Sequence, residues 1–154
     1  MTSDLFAEVG ELARQLTPPL TVIRSTETGS FDDGSVELRD GHVLWWIVRE
    51  RAVLRLEAAP QWDPSLSYDA DLLKRFLGYR VEPRRQSAAG STEGLRELMA
   101  RSLRDLGEEL EELRQPVAAA FNELTWDVTR QQLIDLGRRR DAELFGRPYR
   151  PAEQ

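Results

Sequence analysis

The stretch VELRDGHVLWWIVRERAVLRLEA, residues 36–58, decides the fold of this chain. Its first four residues and its last segment, Leu54–Ala58, alternate apolar and polar side chains, as strands with one buried face do. Between them, Asp40-Gly41 provides a turn and Val43–Val48 is a continuous apolar run. We therefore predict an antiparallel β-meander with the apolar run as its central strand.

The central strand is apolar on both faces. Because side chains alternate along a strand, one face carries Val43, Trp45 and Ile47, and the other carries Leu44, Trp46 and Val48. An antiparallel sheet commonly has one solvated face. Two apolar faces therefore predict helices over both, or one face left for a partner. We expect one of Trp45 and Trp46 to pack under helices and the other, unless the long C-terminal helix covers it, to contact a partner.

Helical patterns surround the meander. Residues 3–16 have apolar side chains at helical spacing, residues 20–24 are β-prone, and Asp69–Leu77 is typical of a short capped helix. From residue 92 to residue 140 the apolar spacing predicts long helices buried along one stripe. The members of that stripe are Met99, Leu103, Leu106, Leu110, Leu113, Val117, Ala120, Leu124 and Val128. The predicted class is α+β: an N-terminal helix, an antiparallel meander of about four strands, a short helix, and long C-terminal helices packed on the sheet.

A chain of 154 residues fits one domain. We expect residues 1–81 to form the first helix, the sheet and the short helix, and residues 92–146 to add the C-terminal helical part. The composition of residues 82–91 predicts a connector, and residues 147–154 a tail. Pro116 interrupts the helical pattern. Since proline inside a helix costs about 3 kcal/mol, we expect a break near Gln115 in preference to one kinked helix.

Composition and charge exclude several classes of protein. Cysteine is absent and His42 is the only histidine, which excludes disulfides, thiolate metal sites and multi-histidine metal sites within one chain. The net charge of -6 opposes general nucleic-acid binding and suits a basic partner or plain solubility. No apolar run reaches the roughly 20 residues of a spanning helix, and the N-terminus does not resemble a secretory signal. We expect a cytoplasmic protein, and the near-exclusive use of Arg over Lys suggests a bacterial one.

Few residues favour catalysis. His42 begins the central strand and could act as a general base with a loop acid, for which Asp32, Asp33 and Asp69 are candidates. No nucleophile motif such as GxSxG accompanies them, and the loop acids lack EF-hand spacing. We therefore expect no catalytic residue, metal site or cofactor. A small hydrolase or ligand-binding enzyme using His42 and the loop acids stays an alternative.

Charged and aromatic side chains supply the candidate contact residues. The long helix carries an acidic run, which either attracts a basic surface or is a solvated helix face. Trp62, in the loop before the short helix, is a further aromatic candidate. The predicted partner-binding set is Trp45, Trp46, Trp62, Glu108, Glu109 and Glu112. Arginines at residues 138–140 make the C-terminal part basic, which allows a homodimer through the C-terminal helices; neither nucleic acid nor membrane is an expected partner.

The order of elements also carries a resemblance. The segments VELRDGHVLWWIVRERAVLRLEAAP, SYDADLLKRFLG and LRELMARSLRDLGEELEEL give a meander, a short helix after a tryptophan loop and a long closing helix. In this layout, residues 34–125 resemble small bacterial immunity-type proteins that accompany polymorphic toxins. The resemblance implies a non-enzymatic protein that neutralises a cognate toxin by binding it. The leading helix, sheet and acidic character are also similar to secretion-chaperone folds, which act as dimers.

The sequence therefore favours a cytoplasmic bacterial α+β protein of the immunity-type or regulatory kind, which acts by contact with another protein through its acidic helix and sheet aromatics. Besides the enzyme, the alternatives are a secretion-chaperone-like dimer and a structural subunit of a larger assembly. The structural subunit would leave the Met99–Val128 stripe uncovered.

Overall fold

A computed structural model describes residues 5–27, 33–50, 53–80 and 103–146 of the chain. Its helices are α1 (Leu5–Gln15), α2 (Ala70–Phe76), α3 (Leu103–Ala120) and α4 (Trp126–Phe145), with a 3-10 turn at Glu123–Thr125 before α4. Its strands are β1 (Thr21–Glu27), β2 (Gly34–Asp40), β3 (Val43–Glu50), β4 (Val53–Pro60) and β5 (Tyr68–Asp69). The predicted α+β class is confirmed, with a helix first, then the antiparallel sheet, then the C-terminal helices.

The sheet is an antiparallel meander in which the strands follow one another in chain order. It has five strands where about four were predicted, because the two-residue β5 adds a short edge to β4. The tight turn from β2 to β3 requires a positive φ at Gly41, which is +60°. In the register that this turn sets, Trp45 lies between Leu38 on β2 and Ala58 on β4.

The core lies on one face of the sheet. Residues alternate between buried and half-buried along β3, and Val43, Trp45 and Ile47 are on the buried side. Three helices bury their apolar stripes in the same cluster of side chains: α1 and α3 through most of their length, and α2 through its first turn. Contacts join α1 to β1 and β2, α2 and α3 to β4, and α4 to α2. The sheet and helices therefore form two layers, and α4 packs on α2 and adds Trp126 and Leu133 to the core.

The long helix is continuous through Pro116. The expected break near Gln115 is wrong, since α3 runs from Leu103 to Ala120 with Pro116 inside it. Proline removes one backbone hydrogen bond, and the fully buried Leu113 and Val117 on either side hold both halves of the helix against the core. The chain turns later, at Asn122, whose side-chain oxygen accepts a hydrogen bond of 2.9 Å from the Leu124 N–H.

This turn also ends the apolar stripe earlier than predicted. Leu106, Leu110, Leu113 and Val117 are buried as expected, but Leu124 is 94% exposed and Val128 is 62% exposed. The prediction that the stripe continues to Val128 is wrong, because the 3-10 turn rotates the following helix out of phase with α3. Phe121, Trp126 and Leu133 continue the core instead.

Some predicted features lie outside the described residues: Met99, the connector at residues 82–91 and the tail at residues 147–154. The domain boundaries drawn from them stay predictions.

The two adjacent tryptophans of β3 give a direct test of the one-sided core. Trp45→Ala should lower the free energy of unfolding by about 3–5 kcal/mol, because it leaves a cavity in the core. Trp46→Ala should cost about 1 kcal/mol, because it removes a half-buried ring and one hydrogen bond. Urea unfolding followed by circular dichroism measures both values. Equal losses would contradict a core confined to the Trp45 face.

Candidate partner-binding surface

A groove of about 650 Å³ runs between α1 and α3. It forms because both helices pack on the same face of the sheet and contact each other. Its lining residues are Glu8, Glu11, Leu12, Gln15 and Leu16 of α1 and the segment following it, and Leu103, Arg104, Gly107, Glu108 and Glu111 of α3. We call this feature the α1–α3 groove.

The floor of the α1–α3 groove is apolar. Leu12 and Leu103 are half-buried and pack against the core, and Leu16 is buried. Gly107 allows the two helices to approach at this point, since a Cβ atom placed on it would lie 2.6 Å from Cδ1 of Leu12. A side chain at Gly107 would therefore force Leu12 to move. Because Gly107 has no side chain, Leu12 can occupy the floor of the groove at this point.

The rims of the groove are acidic on both sides. Glu8 and Glu11 lie one turn apart on α1, and Glu108 and Glu111 lie one turn apart on α3. Arg104 is the cation among the lining residues, so four carboxylates face one guanidinium. The α1–α3 groove therefore combines an apolar floor with two rows of negative charge.

Each rim carboxylate also has a local partner. Arg49 lies 3.2 Å from Glu8, and Arg104 lies 3.6 Å from Glu108. Arg14 donates a hydrogen bond of 2.6 Å to Glu11, and this bond, with the charge of Arg14 and a hydrogen bond from Gln15, lowers the pKa of the Glu11 carboxyl. The pairs of Glu11 and Glu108 are exposed on both sides and therefore weak, so these two carboxylates stay available to a stronger partner.

Glu111 differs from the other rim residues because it belongs to a buried network. It accepts a hydrogen bond of 2.8 Å from Arg114, which is 6% exposed and also donates two hydrogen bonds to Asp40. Burial opposes the charge on Arg114, but the hydrogen bonds to Asp40 and Glu111 outweigh it, and the pKa of Arg114 is raised. This network ties α3 to the turn between β2 and β3.

The structure divides the predicted acidic set among three environments. Glu108 lies on the rim of the α1–α3 groove, and Glu112 lines a neighbouring cleft of about 480 Å³ beside Pro116. Glu109 is 4% exposed and accepts a hydrogen bond of 2.7 Å from Lys74 of α2. The prediction of Glu109 as a contact residue is corrected, because its buried carboxylate joins two helices of the same chain.

The predicted aromatic set is divided in the same way. Trp45 is fully buried in the core, so it is corrected from a candidate contact to a core residue. Trp62 is half-buried, packs against the core and stacks on His42 with 5.6 Å between ring centroids. Trp46 alone of the three lies on the opposite face of the sheet, half-buried, and donates a hydrogen bond of 3.0 Å to Glu37.

The sheet face around Trp46 has mixed charge. Leu44 and Val48 flank Trp46 on β3 and are also half-buried, outside the core cluster. Glu37 and Glu57 lie directly across from Trp46 on the neighbouring strands. Arginines on β2 and β4, Arg39 and Arg55, lie diagonally from it. This face therefore combines an apolar row with charges of both signs, whereas the charged residues that line the α1–α3 groove are mostly acidic.

His42 and the loop acids are engaged in separate contacts. A His42 ring nitrogen lies 2.8 Å from the carbonyl oxygen of Ala118. Asp69 accepts a hydrogen bond from the Leu72 N–H at the start of α2 and binds Arg140 at 2.7 Å. Asp33 lies just before β2, and Asp32 is outside the described residues. His42 and Asp69 therefore have different partners.

Sequence reasoning missed the α1 side of the groove. Glu8 and Glu11 flank an apolar helix stripe, and this signal is present in the sequence. The pairing of that stripe with α3, about a hundred residues away, depends on tertiary packing that the pattern of one helix does not specify.

Asp63 lies in the loop between β4 and β5 and connects this loop to Trp126 and Arg130 of α4. It accepts hydrogen bonds of 2.9 Å from Trp126 Nε1 and 3.0 Å from the Ser65 hydroxyl, and Arg130 lies 3.4 Å away. The bond from Trp126, followed by that from Ser65 and the charge of Arg130, outweighs burial and lowers the pKa of Asp63 below its ordinary value of 3.8. Asp63 therefore stabilises the fold when it is ionised.

The pH dependence of this contribution has a definite sign. Because the pKa is lower in the folded state, the stabilisation is complete well above pH 3.8 and is lost as the pH falls through the folded pKa. Asp63→Asn should lower the free energy of unfolding by about 1 kcal/mol at pH 7. Urea unfolding at several pH values should show this difference shrinking as the pH falls below 3.8, the ordinary pKa of the carboxyl. A difference that stays constant from pH 7 down through the acid range would contradict the role of the carboxylate charge.

Three further observations concern the chain as a whole. Over residues 5–27, 33–50, 53–80 and 103–146, no three histidine or acidic side chains converge on a possible metal position. None of the helices in these same ranges is long and apolar enough to cross a membrane. Comparison with known protein families, with curated protein sequences and with solved structures finds no match for the chain.

Proposed function

We propose that this is a non-enzymatic binding protein that acts by docking a partner protein on the α1–α3 groove. The observation that carries the proposal is the apolar floor of Leu12, Leu16 and Leu103 between two acidic rims. Each square ångström of apolar floor covered by a partner contributes roughly 25 cal/mol before the costs of association. The rims select the partner by charge.

The charge of the groove suits a basic partner. The four rim carboxylates have the same sign as the net charge of -6 of the whole chain, and each of them already pairs with one arginine. Such a field speeds the encounter with a positively charged surface and disfavours an acidic one. Binding must replace weak local ion pairs, such as the pair of Glu11 with Arg14, by contacts to the partner, and this replacement reduces the net gain in binding free energy.

A solvated helix face is the simpler explanation of acidic residues on a helix. That explanation accounts for the exposure of Glu108. It does not account for the half-buried leucines that lie between the two rows of carboxylates. The combination of floor and rims supports the binding function over solubility alone.

The biological role that we propose is immunity-type or regulatory. An immunity-type protein neutralises a toxin by binding it, and this role needs a rigid surface and no chemistry of its own. The layout of the chain resembles such proteins, and α1 and α3 are both held on the sheet by a continuous core. In this proposal the protein acts in the bacterial cytoplasm on a basic protein.

Two carboxylates of the groove allow a test that spares the fold. Glu11 and Glu108 are mostly exposed, at 59% and 70%, and their contacts described above are to neighbours on the same helix: Arg14 and Gln15 for Glu11, and Arg104 for Glu108. The double variant Glu11→Gln/Glu108→Gln should weaken binding of the native partner about tenfold. The partner is first isolated from the host and identified by mass spectrometry, and affinity is then measured by calorimetry.

The matched control removes the same charge elsewhere. Glu50 and Glu143 also form exposed ion pairs, with Arg55 and Arg75. Glu50→Gln/Glu143→Gln should change the affinity by less than twofold, and added salt should weaken the native complex more than the groove variant's complex. Equal effects of the two double variants would contradict docking on the α1–α3 groove.

A further inference from the structure

We infer that the α1–α3 groove binds an amphipathic α-helix of the partner, with an apolar ridge on one face and basic side chains on both flanks. This inference rests on the proposed function and specifies its ligand. The chemical class is a basic amphipathic peptide segment. Three features of the groove lead to it: the shape of the floor, the spacing of the rims, and walls that are helices and not sheet edges.

The floor has the shape that a third helix fits. Two packed helices leave a linear depression between them, and a helix with apolar residues at i, i+3, i+4 and i+7 places its ridge in such a depression. Gly107 and Leu12 bring α1 and α3 together under this depression, and Leu103 and Leu16 extend the apolar floor along it. The depression is open to solvent and has a volume of about 650 Å³, so it offers a surface on which a helix can lie and not an enclosed pocket.

The rims have the spacing of a helix. Glu8 and Glu11 on one side and Glu108 and Glu111 on the other are each three residues apart, which places their Cβ atoms about 5–6 Å from each other. Basic residues spaced i, i+3 or i, i+4 on the flank of a partner helix have the same separation. A helix lying along the groove can therefore place basic side chains in register with the carboxylates of a rim.

The walls favour a helix over an extended strand. A strand gains much of its affinity from hydrogen bonds to free backbone groups at a sheet edge. In the interior of α3, from Gly107 to Glu111, the backbone groups along the groove are hydrogen-bonded within the helix. A helical ligand satisfies its own backbone and needs only side-chain contacts. Polyanionic nucleic acid is disfavoured by the rim charge.

The test uses the full chain and a synthetic probe. The probe is an 18-residue fluorescent peptide designed as a helix, with leucines at i, i+3, i+4 and i+7 and arginines on both flanks. One control peptide has the same composition in an order that abolishes the ridge, and another has glutamate in place of arginine. Fluorescence anisotropy should show at least tenfold tighter binding of the probe than of either control.

Variants of the protein test whether the probe binds at the α1–α3 groove. Glu11→Gln/Glu108→Gln should weaken probe binding about tenfold, and Leu103→Gln should weaken it without any change of charge. Glu50→Gln/Glu143→Gln should change it by less than twofold. Circular dichroism confirms that each variant is folded before its affinity is measured.

Each of three results would overturn the inference. The first is a probe that binds no better than the reordered peptide. The second is a probe whose affinity ignores the groove variants. The third is a dimer of the protein, seen by analytical ultracentrifugation, that dissociates in Glu11→Gln/Glu108→Gln, since a second copy would then occupy the groove. If the native partner still depends on Glu11 and Glu108 while the probe fails, the proposed function stands and only the helical ligand is wrong.

Discussion

Burial of one face of β3 is the constraint on which the rest of the structure depends. The row Leu38, Trp45 and Ala58 crosses three strands, and the small Ala58 beside Trp45 leaves room for the indole. Three helices cover this row and its neighbours, all on the same side of the sheet. Because α1 and α3 share that side, they lie next to each other, and the α1–α3 groove is a consequence of the one-sided core.

The geometry of α3 then determines where each acidic residue acts. Successive residues of a helix point about 100° apart, so neighbours in sequence face different surroundings. Glu108 reaches the groove, Glu109 turns inward to Lys74, and Glu111 joins Arg114 under Asp40. The buried ion pairs fix the position of α3, and this position also determines where the exposed carboxylates of the helix lie. In this run of acidic residues, some side chains therefore hold the helices together and others are exposed to solvent.

The sequence allowed the meander, its turns, the flanking helices and the α+β class to be predicted, because these follow from local spacing and turn residues. Tertiary packing determined the features that local spacing did not specify, namely the course of the long helix and the buried face of the central strand. Burial of Leu113 and Val117 overrides the helix-breaking tendency of Pro116, and the turn at Asn122 exposes Leu124. The choice between Trp45 and Trp46 also depended on which face the helices cover.

For the candidate site, the sequence pointed to the acidic helix but not to the groove. The sequence placed Glu108 and Glu109 in one contact set, and the structure separated them, because Glu109 is buried against Lys74. The contribution of α1 required knowledge of which helices are adjacent. Glu8, Glu11 and Leu12 come from a segment about a hundred residues away from Gly107 in the chain. Their importance is visible only after the two helices are placed side by side.

Site-specific photocrosslinking in the host cell tests the central claim most directly, because it compares the two exposed surfaces in one experiment. A benzophenone amino acid replaces Gln15, which lines the α1–α3 groove, or Ser35, which lies beside Val48 on the Trp46 face. Our account predicts a partner adduct from position 15 that disappears when Glu11 and Glu108 are changed to arginine. An adduct from position 35 and none from position 15 would contradict it.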